Sequence, residues 1–121
     1  MGKGTHVFAM TSSGGHEVWR TYGAVSAAKA ALESHIRQLA FELSGFQIAV
    51  NAIRAGVTDT PALRKIPGHE DMLSIATQKN PGGRHTRPED VAIAISNLAN
   101  ENNTWMTGNI IGVDGGEDIA G

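Results

Sequence analysis

Tyr22 and Lys29 stand seven residues apart in the run Tyr22-Gly-Ala-Val-Ser-Ala-Ala-Lys29-Ala-Ala-Leu-Glu33. Two helical turns take about 7.2 residues, so a phenol and an ammonium at this spacing lie on nearly one face of a helix. A neighbouring ammonium favours the phenolate and turns a weak acid into a usable proton donor. The plainer alternative is a tyrosine before a helix and a solvated lysine on it.

The elements that would position this pair follow from the pattern around it. His6-Val7-Phe8-Ala9-Met10 is a short apolar run ending in Thr11-Ser12-Ser13-Gly14-Gly15, which reads as a buried strand entering a loop. A helix is predicted over residues 25–43, with Val25, Ala28, Leu32, Ile36, Leu39 and Leu43 at steps of three and four. Ser44-Gly45 ends it, with Gly45 placed for a left-handed conformation. Residues 46–53 alternate in part and read as a second strand, and 55–61 as a loop. Two short helices are expected over 61–65 and 70–78, separated by Pro67-Gly68, and Asn80-Pro81-Gly82-Gly83 forms a turn. Thr86-Arg87-Pro88-Glu89-Asp90 opens another helix, with proline and acids in its first turn. Its buried side is expected at Val91, Ile95 and Leu98, with Ile93 and Ala94 alongside. The last strand is expected over 107–113, ended by Asp114-Gly115-Gly116.

Strands separated by helices imply an α/β fold with parallel pairing and right-handed crossovers. About three strands are few for a parallel sheet, which normally has both faces and both edges protected. The expectation is one partial domain over residues 1–121, the C-terminal part of a Rossmann-like doubly wound sheet with its long helix after the first strand.

Bulk properties narrow the function. The 121 residues carry a formal net charge of −2 and no cysteine. Disulfides, thiolate metal sites and cysteine nucleophiles are excluded, and the scattered cations offer no field for nucleic acid or an anionic membrane. No apolar run approaches the ~18 residues that would span a bilayer. For a chain without cysteine, a cytoplasmic setting is the simplest expectation. His6, His16, His35, His69 and His85 show no metal-ligand spacing and read as structural or surface groups, so no metal is expected. Trp19 and Trp105 read as packing residues, and Trp19, three before Tyr22, is also a candidate for the mouth of a substrate pocket.

Several segments in one order carry a resemblance: Ser12-Ser13, Tyr22 and Lys29-Ala30-Ala31-Leu32; then Val50-Asn51-Ala52-Ile53, Ala55-Gly56 and Thr60. Gly83-Arg84, Pro88-Glu89-Asp90-Val91-Ala92, Thr107-Gly108 and Val113-Asp114-Gly115-Gly116 complete it. From about Thr5 to Gly116 the chain resembles the C-terminal half of the short-chain dehydrogenase/reductases. In most members the lysine follows the tyrosine by four; four before Lys29 is Val25, which does no acid–base work. The spacing of seven is similar to the divergent branch containing the bacterial enoyl-acyl carrier protein reductases, above all the NADPH-dependent kind.

The resemblance implies reduction of an enoyl-acyl carrier protein thioester in fatty acid synthesis, with NADPH or NADH as cofactor. Tyr22 is then the donor to the thioester oxygen, where a positioned donor meets developing enolate charge. Seven residues of helical rise carry Lys29 about 10 Å further along, and its side chain leans back toward the N-terminus, bridging to the cofactor ribose and to the tyrosine. Ser12 matches the catalytic serine by its distance from Lys29, although strand termination explains it equally well. Gly56, Val57, Thr58 and Thr60 match the nicotinamide-side loop. Leu63, Ile66 and Met72 fall in the segment of the substrate lid; individually they also suit the cores of two small helices. A homo-oligomer through the 25–43 helix and the C-terminal strand is implied as well.

A strand–loop–helix glycine fingerprint for dinucleotide phosphates does not precede Thr5. The expectation is a chain incomplete as a catalyst until an N-terminal half is supplied. A 3-oxoacyl or other carbonyl reductase, and a non-catalytic oligomerising remnant, are the alternatives.

Overall fold

A computed structural model describes residues 1–12 and 23–120. Strand β1 (His6–Ser12) leads to helix α1 (Gly23–Leu43), and a 3-10 turn at Ser44–Phe46 delivers the chain to β2 (Ala49–Ala55). Helices α2 (Pro61–Arg64), α3 (His69–Lys79) and α4 (Pro88–Leu98) precede β3 (Ile110–Val113), and a 3-10 turn at Glu117–Ile119 follows. The three strands form one parallel sheet in the order β1-β2-β3. His6 to Ser12 pair with Ala49 to Ala55, and Ala52 to Ala55 with Ile110 to Val113.

As the central strand, β2 is covered on both faces, and residues 49–53 are all buried. Side chains alternate across a strand, so Val50 and Ala52 turn toward α1, where they pack with Ile36, Ala40 and Ile48. Val7, Ala9, Leu39, Leu43 and Ile110 close the edge of this cluster. The opposite row of β2 is Ala49, Asn51 and Ile53, and Ile53 is fully buried.

Several boundaries differ from the sequence-based expectation, each for a tertiary reason. β1 runs on through Thr11 and Ser12 because both pair with β2. The left-handed residue after α1 is Gln47 (φ 56), not Gly45. The 3-10 turn carries the helix past Gly45, and the reversal comes where the Gln47 carbonyl accepts from the Gly4 amide at 3.0 Å. Residues 107–109 do not ladder as a strand. The Val50 amide donates to Thr107 Oγ1 (2.9 Å), and Gly108 (φ 77) donates to the Val50 carbonyl (2.8 Å). Asn51 Oδ1 accepts from the Asn109 amide (3.0 Å), so this segment crosses the start of β2 before β3 begins.

The face that α1 turns to the sheet also departs from the apolar stripe. Val25 and Ala28 are exposed, whereas Ser26, Lys29 and Leu32 are half-buried and Glu33 is buried. In α4, Val91, Ala94, Ile95 and Leu98 are half-buried as expected, but Ile93 is exposed. Trp105 is 98% exposed and is not a packing residue among the described residues. No helix among the described residues is long and apolar enough to cross a membrane.

Candidate active site at the carboxyl ends of the strands

In open parallel sheets, ligands bind beyond the carboxyl ends of the strands, where side chains and loop amides converge. Ser12 ends β1, and residues 56–60 leave the end of β2. Lys29 lies two turns into the described part of α1 and reaches back to that end of the sheet. Its Nζ donates to the Met10 carbonyl at 3.0 Å. An ammonium has three donors; among the described residues this bond holds one of them. Tyr22 and Trp19 lie outside the described residues.

One turn along α1, Glu33 is buried, and its Oε2 accepts from Thr11 Oγ1 at 2.8 Å. Thr11 is 3% exposed, so this bond is shielded from water. Neither residue was singled out from sequence. The signal was present in the four-residue step from Lys29 to Glu33, which puts both side chains on one face.

The loop after β2 is held from three sides. The Gly56 amide donates to the Val113 carbonyl at 3.1 Å, Thr58 Oγ1 donates to the Gly56 carbonyl at 2.8 Å, and Thr58 bridges to Thr86. A Cβ at Gly56 would meet Thr86 Oγ1 and stand 3.0 Å from the Asp114 side chain, so glycine is required there by close approach. The Val57 amide faces the buried Glu117 carboxylate at 3.3 and 3.4 Å. Glu117 is a third supporting residue that sequence reading missed.

Thr60 caps α2 by accepting from the Leu63 amide at 3.1 Å. Its hydroxyl proton is not used in that bond. Asp59 and Arg64 form a two-point pair at 2.9 and 3.1 Å, and the guanidinium hydrogen bond holds the Asp59 carboxyl below its usual range. Leu63, Ile66 and Met72 are half-buried in α2, its following turn and α3. A cavity of about 190 Å³ lies elsewhere, between residues 80–86 and the end of β3, and none of the residues named for substrate or cofactor lines it. Among the described residues no cluster of three or more His, Cys, Asp or Glu is placed to hold a metal ion.

The arrangement therefore brings Lys29 and Ser12 to one strand end and sets Gly56, Val57, Thr58 and Thr60 beyond the neighbouring strand. It is a cationic donor beside a shaped backbone loop, suited to a polar ligand lying across the ends of β1 and β2.

Comparison with known proteins gives the family. A family profile described as enoyl-(acyl carrier protein) reductase matches residues 1–117. The chain is 35% identical over 121 residues to the enoyl-[acyl-carrier-protein] reductase [NADH] of Synechocystis, covering 100% of this chain and 47% of that protein. It is 38% identical over 91 residues to the 3-oxoacyl-[acyl-carrier-protein] reductase of Thermotoga maritima, covering 75% of this chain and 36% of that one. The crystal structure of the Bacillus cereus enoyl-acyl carrier protein reductase with NADP+ and an indole naphthyridinone superposes with a TM-score of 0.90 at 31% identity, covering 97% of this chain and 46% of that one. The chain thus spans about half the length, or less, of the relatives it matches. On the profile match across nearly all of its residues, the chain belongs to the short-chain dehydrogenase/reductase family, in the group of the enoyl-(acyl carrier protein) reductases.

Proposed function

We propose that this chain carries the acid–base and nicotinamide-side half of an NAD(P)H-dependent reductase that saturates the 2,3 double bond of an acyl carrier protein thioester. The observation that carries this reading is the Lys29 ammonium, held at 3.0 Å on the Met10 carbonyl near the end of β1, with two donors to spare among the described residues. It is joined by the Tyr22-to-Lys29 spacing of seven.

The residues present fit a dinucleotide on its nicotinamide side. Among the described residues Lys29 keeps donors beyond its bond to Met10, and Thr60 keeps a hydroxyl proton, both suited to the polar groups of such a ligand. Gly56, Val57, Thr58, Thr60 and Lys29 would hold the cofactor, which when bound supplies the hydride. Tyr22 donates a hydrogen bond to the thioester oxygen as negative charge develops there, lowering the barrier to enolate formation. Lys29 favours the ionised phenol that proton donation leaves behind. Ser12, which ends β1, serves as a second donor in this reading. Leu63, Ile66 and Met72 form the acyl-facing side of the 61–79 segment. Both nucleotides are carried in this reading, since the Synechocystis relative is named for NADH and the Bacillus cereus crystal structure contains NADP+.

A second reading, reduction of a 3-oxoacyl or other carbonyl substrate, is favoured by the 38% identity to the Thermotoga maritima enzyme. A third, a non-catalytic oligomerising remnant, draws on exposed apolar groups of α1, Val25 and Phe41. These same groups support a homo-oligomer through α1 and β3 in the reductase reading. We place the protein in the cytoplasm.

The test supplies the N-terminal phosphate-binding half of a relative in trans and follows oxidation of NADH and NADPH. The expected result is turnover with crotonyl thioester, weaker turnover with acetoacetyl thioester, and loss of both in Tyr22→Phe. Preference for acetoacetyl thioester would transfer the assignment to carbonyl reduction. A stable oligomer with neither turnover nor cofactor binding would leave the remnant reading standing.

A further inference from the structure

β1 has one strand neighbour in the described sheet, so the position of its carboxyl end depends on β2 and on α1. Helix α1 grips that end at two adjacent residues. Lys29 Nζ donates to the Met10 carbonyl at 3.0 Å, and Glu33 Oε2 accepts from Thr11 Oγ1 at 2.8 Å. Ser12 is the next residue of the strand. Lys29 and Glu33 are one turn apart on one face of α1, and Met10 and Thr11 are neighbours on the strand.

Ile36 and Ala40 already seat the body of α1 on β2. Toward its start, where Val25 and Ala28 are exposed, the two polar bonds fix the helix against the end of β1. The bonds differ in strength of placement, because Lys29 is half-buried while Glu33 and Thr11 are 8% and 3% exposed. A buried polar pair is costly to separate, since each partner would be left unsatisfied away from water. The buried bond is therefore the fixed point, and the lysine is the element it steadies.

We infer that Glu33 is a positioning residue for the active site: through Thr11 it fixes the end of β1 against α1, and so sets the Met10 carbonyl that orients the Lys29 ammonium and the place where Ser12 is presented. The inference rests on the reading of Lys29 and Ser12 as site residues, and it adds two residues that touch neither substrate nor cofactor.

The test reads Lys29 directly. In the chain labelled with ¹⁵N-lysine, exchange of the Lys29 ammonium protons with water is expected to be slower than that of the exposed Lys65, with the signal assigned by Lys29→Arg. Equal exchange of the two lysines in the unmodified chain overturns the inference without any variant at positions 11 or 33. Thr11→Val and Glu33→Ala should each accelerate Lys29 exchange about fivefold, the factor expected for one lost hydrogen bond of ordinary net strength. Thr11→Ser and Glu33→Gln keep a hydroxyl and an acceptor oxygen, and should restore the slow rate. Unchanged exchange in the first pair, or equal acceleration in both pairs, overturns the inference.

Turnover separates this from the reductase reading. In the reconstituted enzyme, Thr11→Val should lower kcat with KM little changed, and Thr11→Ser should recover it. A kcat unaffected by Thr11→Val overturns the positioning role while the reductase reading stands. A Lys29 signal that responds as expected, in a preparation without turnover on any thioester, keeps the two-point grip and removes the reductase reading.

Discussion

The β1–α1 junction and the α2–α3 segment flank the same strand ends, but they are tied down in opposite ways. At the junction the bonds are long-range: Lys29 to Met10 spans 19 residues and Thr11 to Glu33 spans 22. In the α2–α3 segment they are local, three to five residues apart: Leu63 to Thr60, Arg64 to Asp59, His69 to Ile66 and Thr77 to Leu73. Long-range bonds fix one element against another, whereas local ones keep an element internally intact. The first arrangement suits groups that must hold a fixed geometry. The second holds only the segment's own shape.

The sharpest way to break the contrast is at Thr11. Thr11→Val leaves the Glu33 carboxylate buried with its partner gone, and should destabilise the chain by about 3 kcal/mol. Thr11→Ser should cost much less, because the hydroxyl is kept. Chemical denaturation of the two variants checks this, and a Thr11→Val within a few tenths of wild type would show that the junction is no tighter than the segment across from it.

Asn80 is the point where the local segment is anchored to the rest. Its Nδ2 donates to the Asp114 carbonyl at 2.8 Å, and its Oδ1 accepts from the Gly82 amide at 2.8 Å, in a residue that is 6% exposed. Asn80→Ala should cost about 2 kcal/mol, roughly the loss of two partly buried hydrogen bonds. It should also raise proteolytic cleavage within 61–79 relative to cleavage in α1, which limited proteolysis with mapped fragments would read. Thr60→Ala removes only the side-chain cap of a four-residue helix, and the expected loss is about 1 kcal/mol. If it matched Asn80→Ala, the internal bonds of the segment would matter as much as its anchor.

The same contrast explains what the sequence disclosed. Parallel pairing and the long helix follow from apolar period and local spacing, and the structure shows both; the bond from Lys29 to the Met10 carbonyl was not foreseen. The Glu33 side of the junction was hidden because the stripe through Val25, Ala28 and Leu32 implies a different inward face at the start of α1. A buried polar bond outweighs an apolar preference there, and its partner Thr11 is far away in sequence. Gly45 was expected to reverse the chain by residue type, but the reversal fell at Gln47, where pairing with Gly4 determines it. Thr107 and Asn109 look like strand residues until Val50 and Asn51 claim their polar atoms. Local chemistry is legible in order along the chain, while bonds spanning about 20 to 60 residues depend on topology.

The smallest expected effect belongs to the pair that closes the start of α2. Arg64 donates to both Asp59 oxygens at 2.9 and 3.1 Å, and this hydrogen bonding lowers the Asp59 pKa from its ordinary 3.8. A carboxyl whose folded pKa lies below its unfolded value adds stability that is present above the unfolded value and is lost as pH falls through the folded one. The contribution should therefore be intact near neutrality and fade as pH drops below 3.8. Both side chains are largely open to solvent, and exposed pairs contribute little and are screened by salt. Asp59→Asn should accordingly change neutral-pH stability less than Thr60→Ala does, and should flatten only the acid limb of a stability–pH curve measured at low salt. A larger loss, persisting in high salt, would mean that Asp59 and Arg64 fasten this segment to something beyond itself, and the distinction between a pinned junction and a self-contained segment would no longer hold.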